Sequence, residues 1–221
     1  MRGLNRDPIE EDGGVNLYAF CGNYASGLYD GLGLFTIHIH TDELGHIGIS
    51  NKAGTTFDYG RYHGKYKMGF LGKFNHSGPN ILIKGNGLEG AHSYTRYRFS
   101  VCPLVDEMVT KVLNEKFASG LKYLPEDVLA KYDKRPGPLA YNMRYMGSDW
   151  TINNNCMTFT FSVIGSAAVR VGKDKSCGRA ERQQAMAMAS LAHVSCWLPT
   201  PLQVKAVLSH FARQRNWITK E

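Results

Sequence analysis

The chain has few marks of covalent or metal stapling. Its five cysteines, Cys21, Cys102, Cys156, Cys177 and Cys196, are odd in number, and no two stand in a CxxC pair. That argues against a four-thiolate zinc site and against a disulfide framework. Such a chain reads as made in a reducing compartment. Long apolar runs are also missing. The longest late stretch, Ala185 to Leu198, is 14 residues and contains His193, too short for the ~20 residues that span a bilayer. The opening, Met1 to Gly14, is charged and polar, so any export uses a route that reads no N-terminal signal. There is no internal repeat.

What is present suffices for a core without staples. The 221 residues are 43% hydrophobic and 20% charged, ordinary for a globular protein of one large domain or one domain plus an appendage. The net charge is +7, and most of it falls late: from Arg170 to Glu221 there are nine Lys or Arg against three Asp or Glu. A basic end of this kind meets an acidic partner, an anionic surface or nucleic acid, or is simply solvated. No aromatic–basic nucleic-acid motif accompanies it, which favours a solvated or partner-docking face.

Periodicity divides the chain into strands followed by helices, an α+β order. Residues 1–34 are rich in Gly, Asn, Tyr and Asp, with one short strand expected at Val15 to Phe20. Phe35 to His40 alternates strictly, and His46 to Ser50 and Thr55 to Tyr59 follow after turn signals, predicting a three-stranded meander. Asn80 to Lys84 and Ser93 to Val101 read as further strands. Gly60 to Gly78 reads as a loop. Pro103 opens a helix with an apolar stripe at Leu104, Val105, Met108, Val109, Val112 and Leu113. A short helix is expected at Glu126 to Tyr132, and longer ones at Met157 to Ala168, Ala180 to Trp197 and Pro201 to Arg215, the last with Thr200 as N-cap.

The run Arg6-Asp7-Pro8-Ile9-Glu10-Glu11-Asp12-Gly13-Gly14-Val15-Asn16-Leu17-Tyr18-Ala19-Phe20-Cys21-Gly22-Asn23, continued by Tyr29-Asp30-Gly31-Leu32-Gly33-Leu34, resembles the end of the Rhs repeat core. Rhs proteins are bacterial shells that carry variable C-terminal toxins. The resemblance implies that residues 1–34 are a shell remnant and that an effector tip follows. It also implies self-cleavage at Leu34–Phe35 with Asp30 assisting. Gly31 stands where the family has Pro, which loosens a turn that Pro would pre-set.

Two stretches in the remainder carry chemistry. Asn153-Asn154-Asn155 is a polar turn ahead of Cys156 and an apolar run of helical length, which predicts Cys156 at a helix N-terminus. There the dipole and free N–H groups favour a thiolate and can hold an oxyanion, with Asn155 and Met157 as neighbours. Gly45-His46-Ile47-Gly48-Ile49 places a histidine at a strand start between glycines that leave room for a substrate or for another backbone to approach. Imidazole is the side chain suited to take a thiol proton near neutral pH. Asp58 on the next strand is the candidate to orient it, with Tyr59 and His63 as weaker alternatives. These stretches, with Gly54-Thr55-Thr56-Phe57-Asp58 between them, resemble the circularly permuted NlpC/P60-like cysteine hydrolases of the papain-like superfamily. In those proteins the histidine strand precedes the cysteine helix. The resemblance implies an antiparallel sheet packed on a nucleophile-bearing helix, with extra C-terminal helices. It implies a hydrolase core at 35–170 and a basic helical extension at 171–221. It also implies acyl transfer by Cys156, His46 and Asp58 on a peptide amide, commonly the peptidoglycan stem peptide, with no cofactor. A toxin of this kind is made in a bacterial cytoplasm, delivered by its shell or a secretion-system carrier into a target cell, and neutralised by a cognate immunity protein.

His38 and His40 have a metal-binding spacing, but exposed histidines on an edge strand are the expectation, with no metal site. Tyr94, Arg96 and Arg98 would suit a phosphate backbone, and Asn75-His76 is a fragment of a metal-nuclease pattern that its surroundings do not complete. A cysteine-dependent deamidase or acyltransferase would use the same residues on a protein or lipid. A non-enzymatic adaptor or pore former, drawing on Ala180 to Trp197, is a further alternative, and no transmembrane segment is expected.

Overall fold

The computed structural model describes residues 35–40, 45–61, 78–86, 94–126, 142–149, 151, 153–175, 177–196, 198, 200–215 and 217–221. The expectations for residues 1–34, including Asp30 and Leu34, and those for Asn75, His76, His63 and most of 126–132, lie outside the described residues.

Among them the architecture is α+β. Strands β1 (Phe35–His40), β2 (His46–Ser50), β3 (Thr55–Arg61), β4 (Pro79–Asn86), β5 (Tyr94–Phe99), β6 (Met143–Asp149) and β7 (Ile218–Lys220) form one sheet in the order β6-β4-β3-β2-β1-β5-β7. Every pairing is antiparallel. Helices α1 (Pro103–Ser119), α2 (Cys156–Lys173), α3 (Arg179–Cys196) and α4 (Pro201–Gln214) complete the described elements. No helix among the described residues is long and apolar enough to cross a membrane.

The meander forms because alternation sorts its side chains by face. Ile37 pairs with Ile49 and with Tyr97, and Ile39 pairs with Ile47. All five are fully buried, in one core with Phe35, Phe57, Tyr59 and Phe99. The same core takes Val109 and Leu113 of α1, Phe161 and Ile164 of α2, Met188 and Leu191 of α3, and Val204 and Leu208 of α4. The expected boundary at 170/171 therefore falls inside α2. Residues beyond it share the main core, and β7 joins the sheet.

The opposite face of the meander is polar. His38 hydrogen-bonds through Nε2 to Ser50 Oγ at 2.6 Å, and Ser50 Oγ meets Thr56 Oγ1 at 2.9 Å. His38 is 4% exposed, and β1 lies between β2 and β5. The expectation of exposed histidines on an edge strand is thereby corrected: flanking strands on both sides bury this position. Among the described residues no cluster of three potential ligands could hold a metal ion.

Strands β6 and β7 carry no clear sequence signal. Met143 and Ile218 are their buried anchors. β6 ends in Gly147-Ser148-Asp149, which reads as turn chemistry, and β7 has three residues, too few to display a period. Pro103 opens α1 as expected, and the helix runs past Leu113 to Ser119.

The first turn of α1 holds Asp106, 4% exposed, with Oδ1 lacking a hydrogen-bond partner. Burial pushes its carboxyl up to about 6 against an ordinary 3.8, with Lys52 pulling down and Glu107 pushing up. The folded chain thus holds this proton more tightly than the unfolded chain. The resulting destabilisation is absent below 3.8, grows as pH rises, and is complete above about 6. Asp106→Asn is expected to stabilise the fold above neutral pH by about 1–3 kcal/mol, with the gain vanishing in acid. Urea denaturation at several pH values reads both.

Candidate active site

β2 is entered through a left-handed residue. Gly45 sits at φ 71°, and a Cβ there would lie 2.9 Å from Pro201 Cβ and 3.0 Å from the His40 carbonyl. Only glycine lets the backbone enter β2 against the first turn of α4. His46 follows as the first strand residue. The β2–β3 register sets Gly48 opposite Asp58, so His46 and Asp58 are diagonal neighbours on one face. His46 Nε2 hydrogen-bonds Asp58 Oδ1. The His46 side chain is 33% exposed and that of Asp58 18%, so the pair meets solvent at one side.

Cys156 is delivered by a helix start. Asn155 is the N-cap of α2: its side chain accepts from the Met157 N–H at 2.9 Å and the Thr158 N–H at 3.1 Å. Thr158 Oγ1 in turn accepts from the Asn155 N–H at 2.9 Å, completing a capping box. Cys156 is the first residue of an 18-residue helix, where the positive end of the dipole favours a thiolate. Met157, read from sequence as a neighbour of an oxyanion, gives its N–H to Asn155. The Cys156 N–H is the donor that the cap leaves beside the sulfur.

The two halves meet. The His46 imidazole hydrogen-bonds Asp58, and the Cys156 side chain is near enough to act on its proton affinity. Burial pulls this imidazole down, but the charges of Asp58 and Cys156, with hydrogen bonds to both, outweigh it and hold its pKa well above the ordinary 6.5. The ring therefore keeps its proton to higher pH than a free imidazole would. Its share of stability is full below 6.5 and is lost as pH rises through the folded value.

Tyr59, an alternative to Asp58, is not brought to the imidazole. Its hydroxyl donates to Asn154 Oδ1 at 2.7 Å. Phe35, at the expected cleavage point, is fully buried and stacks on Phe99 with centroids 4.6 Å apart. Sequence reasoning missed Asn80 and Ser148. Asn80 Nδ2 donates to the Asn154 main-chain oxygen at 3.3 Å, and Asn154 Nδ2 donates to Ser148 Oγ at 2.9 Å. Asn80 is fully buried and its Oδ1 has no partner among the described residues, a state that costs about 1–3 kcal/mol. Nothing marks Asn80 in sequence, because an asparagine inside a strand has no periodic signature. Burial pushes the thiols of Cys102, Cys177 and Cys196 up.

No family model, curated protein or solved structure matches the chain.

Asp58→Asn removes the carboxylate that is the strongest of the influences raising the imidazole. The His46 titration midpoint, followed by NMR of the ring protons, is expected to fall in this variant.

Proposed function

We propose that the chain is a cysteine hydrolase that cleaves a peptide amide through an acyl-enzyme on Cys156. The observation that carries this reading is the position of the His46 imidazole, bonded to Asp58 and within electrostatic reach of the Cys156 side chain at the start of α2. Asp58 orients the ring through Nε2 and stabilises its charge, which leaves Nδ1 to exchange a proton with the sulfur. The thiolate attacks the carbonyl carbon, and the carbonyl electrons move onto the oxygen. The Cys156 N–H and the positive end of α2 favour that oxyanion. His46 then protonates the departing amine, the carbon–nitrogen bond breaks, and a thioester remains. Water, deprotonated by His46, hydrolyses it and restores the thiol.

The order of parts along the chain supports membership of the permuted NlpC/P60-like hydrolases with a papain-like core: a histidine strand, then an acid strand, then a cysteine helix. The N-terminal likeness to the Rhs core supports an effector toxin made in a bacterial cytoplasm, delivered into a target cell by its shell or carrier, and held in check by an immunity protein. The peptidoglycan stem peptide is the first substrate to try. A deamidase or acyltransferase would share every step up to the thioester, and analysis of the products separates them.

Iodoacetamide near pH 6, well below the ~8.5 of a free thiol, is expected to alkylate Cys156 in preference to the other four cysteines. Equal labelling would remove the activated thiolate and the proposal with it. Cys156→Ser is expected to lower amide cleavage by roughly a thousandfold or more, measured by mass spectrometry of digested peptidoglycan. Activity is expected to fall as pH rises through the elevated His46 value, and Asp58→Asn shifts that alkaline limb to lower pH.

A further inference from the structure

Asp58 and Tyr59 are consecutive on β3, so their side chains leave opposite faces of the strand. Asp58 goes to the imidazole, and Tyr59 goes to the segment that carries the sulfur. The Tyr59 ring lies flat on Phe159, with centroids 4.5 Å apart and planes 4° from parallel. Its hydroxyl donates to Asn154 Oδ1 at 2.7 Å. The first contact falls three residues after Cys156 and the second two residues before it, so one side chain grips the nucleophile from both sides.

We propose that Tyr59 is a positioning residue for Cys156, acting through Asn154. The hydroxyl sets the turn from Thr151 to Asn155 so that Asn155 caps α2 and the sulfur faces His46. This rests on the cysteine chemistry proposed above. The turn is a closed unit: Thr151 and Asn154 exchange both main-chain hydrogen bonds at 3.1 Å. Its Asn154 is held by Tyr59 on Oδ1, by Ser148 on Nδ2 and by Asn80 on the main-chain oxygen. Asn80 is kept buried there with an amide oxygen that has no partner among the described residues, a cost the fold alone does not explain. Tyr59 is 4% exposed, so it does not meet substrate. Burial pushes its phenol above the ordinary 10, against its hydrogen-bonded contacts with Ser148, Asn154 and Asn80, which pull it down. If its duty were packing alone, the ring on Phe159 would be enough.

Tyr59→Phe keeps the ring and deletes the hydroxyl. The rate of Cys156 alkylation by iodoacetamide, followed from mildly acidic to mildly alkaline pH, is expected to fall roughly tenfold or more with the melting temperature little changed. Asn154→Ala removes the same bond from its other end. The double variant is expected to be no slower than the slower single one, since the two groups act through one contact. Wild-type selectivity for Cys156 together with an unchanged rate and pH profile in Tyr59→Phe overturns the positioning role alone. Absence of selectivity in the wild type takes down the thiolate reading as well. If Tyr59→Phe does not melt cooperatively, Asn154→Ala is judged by the same criterion.

Discussion

A strand that slips by one residue in its pairing turns every side chain to the other face of the sheet. In the β2–β3 ladder that register sets Gly48 against Asp58 and Ile49 against Phe57. Burial enforces it. A slip would move Ile47 and Ile49, both fully buried, from the helical core to the polar face, at a cost of about 1.5–3 kcal/mol for each. The apolar residues of the meander thus fix the diagonal between His46 and Asp58, although neither belongs to the core. The same register sends Tyr59 to the far side, where Phe159 and Asn154 receive it. Both the histidine's partner and the restraint on the cysteine's turn come from two adjacent residues of one strand.

The electrostatics follow from where this ladder ends. β2 starts at His46, and the imidazole there is partly open to water while its two acidic partners are close. Deep burial would favour the neutral ring, and full exposure would let solvent screen the carboxylate. The site stands between these limits, and the charged ring prevails. A helix start adds a fixed positive field at the sulfur that needs no reorganisation when charge develops. The capping box makes that field permanent by holding Asn155 in extended backbone while α2 begins.

The elements were legible where packing writes a period. Alternation at Phe35 to His40 marked β1, the stripe from Val105 to Leu113 marked α1, and Asn155 followed by an apolar run marked the start of α2. β6 and β7 were not legible. β7 is too short to carry a period, β6 ends in Gly147-Ser148-Asp149, which reads as a turn, and they are strands because β5 and β4 offer them open edges. The burial of His38 was misjudged for a related reason: an alternating strand looks the same at the edge of a sheet as at its centre. Asn80 and Ser148 gave no local sign, since their roles consist of hydrogen bonds to Asn154, far along the chain.

Taken by itself, the amino-acid order determined which residues have the chemistry: a thiol after a capping turn, an imidazole at a strand start between glycines, and an acid on the next strand. Those are local properties, settled by neighbours a few positions away. That sulfur and imidazole meet across more than a hundred residues, that Asp58 rather than Tyr59 reaches the ring, and that the Met157 N–H is taken by its own cap were decided only by tertiary structure. Each depends on strand register and helix packing, which are set by the burial of the whole sheet rather than by any short stretch of chain.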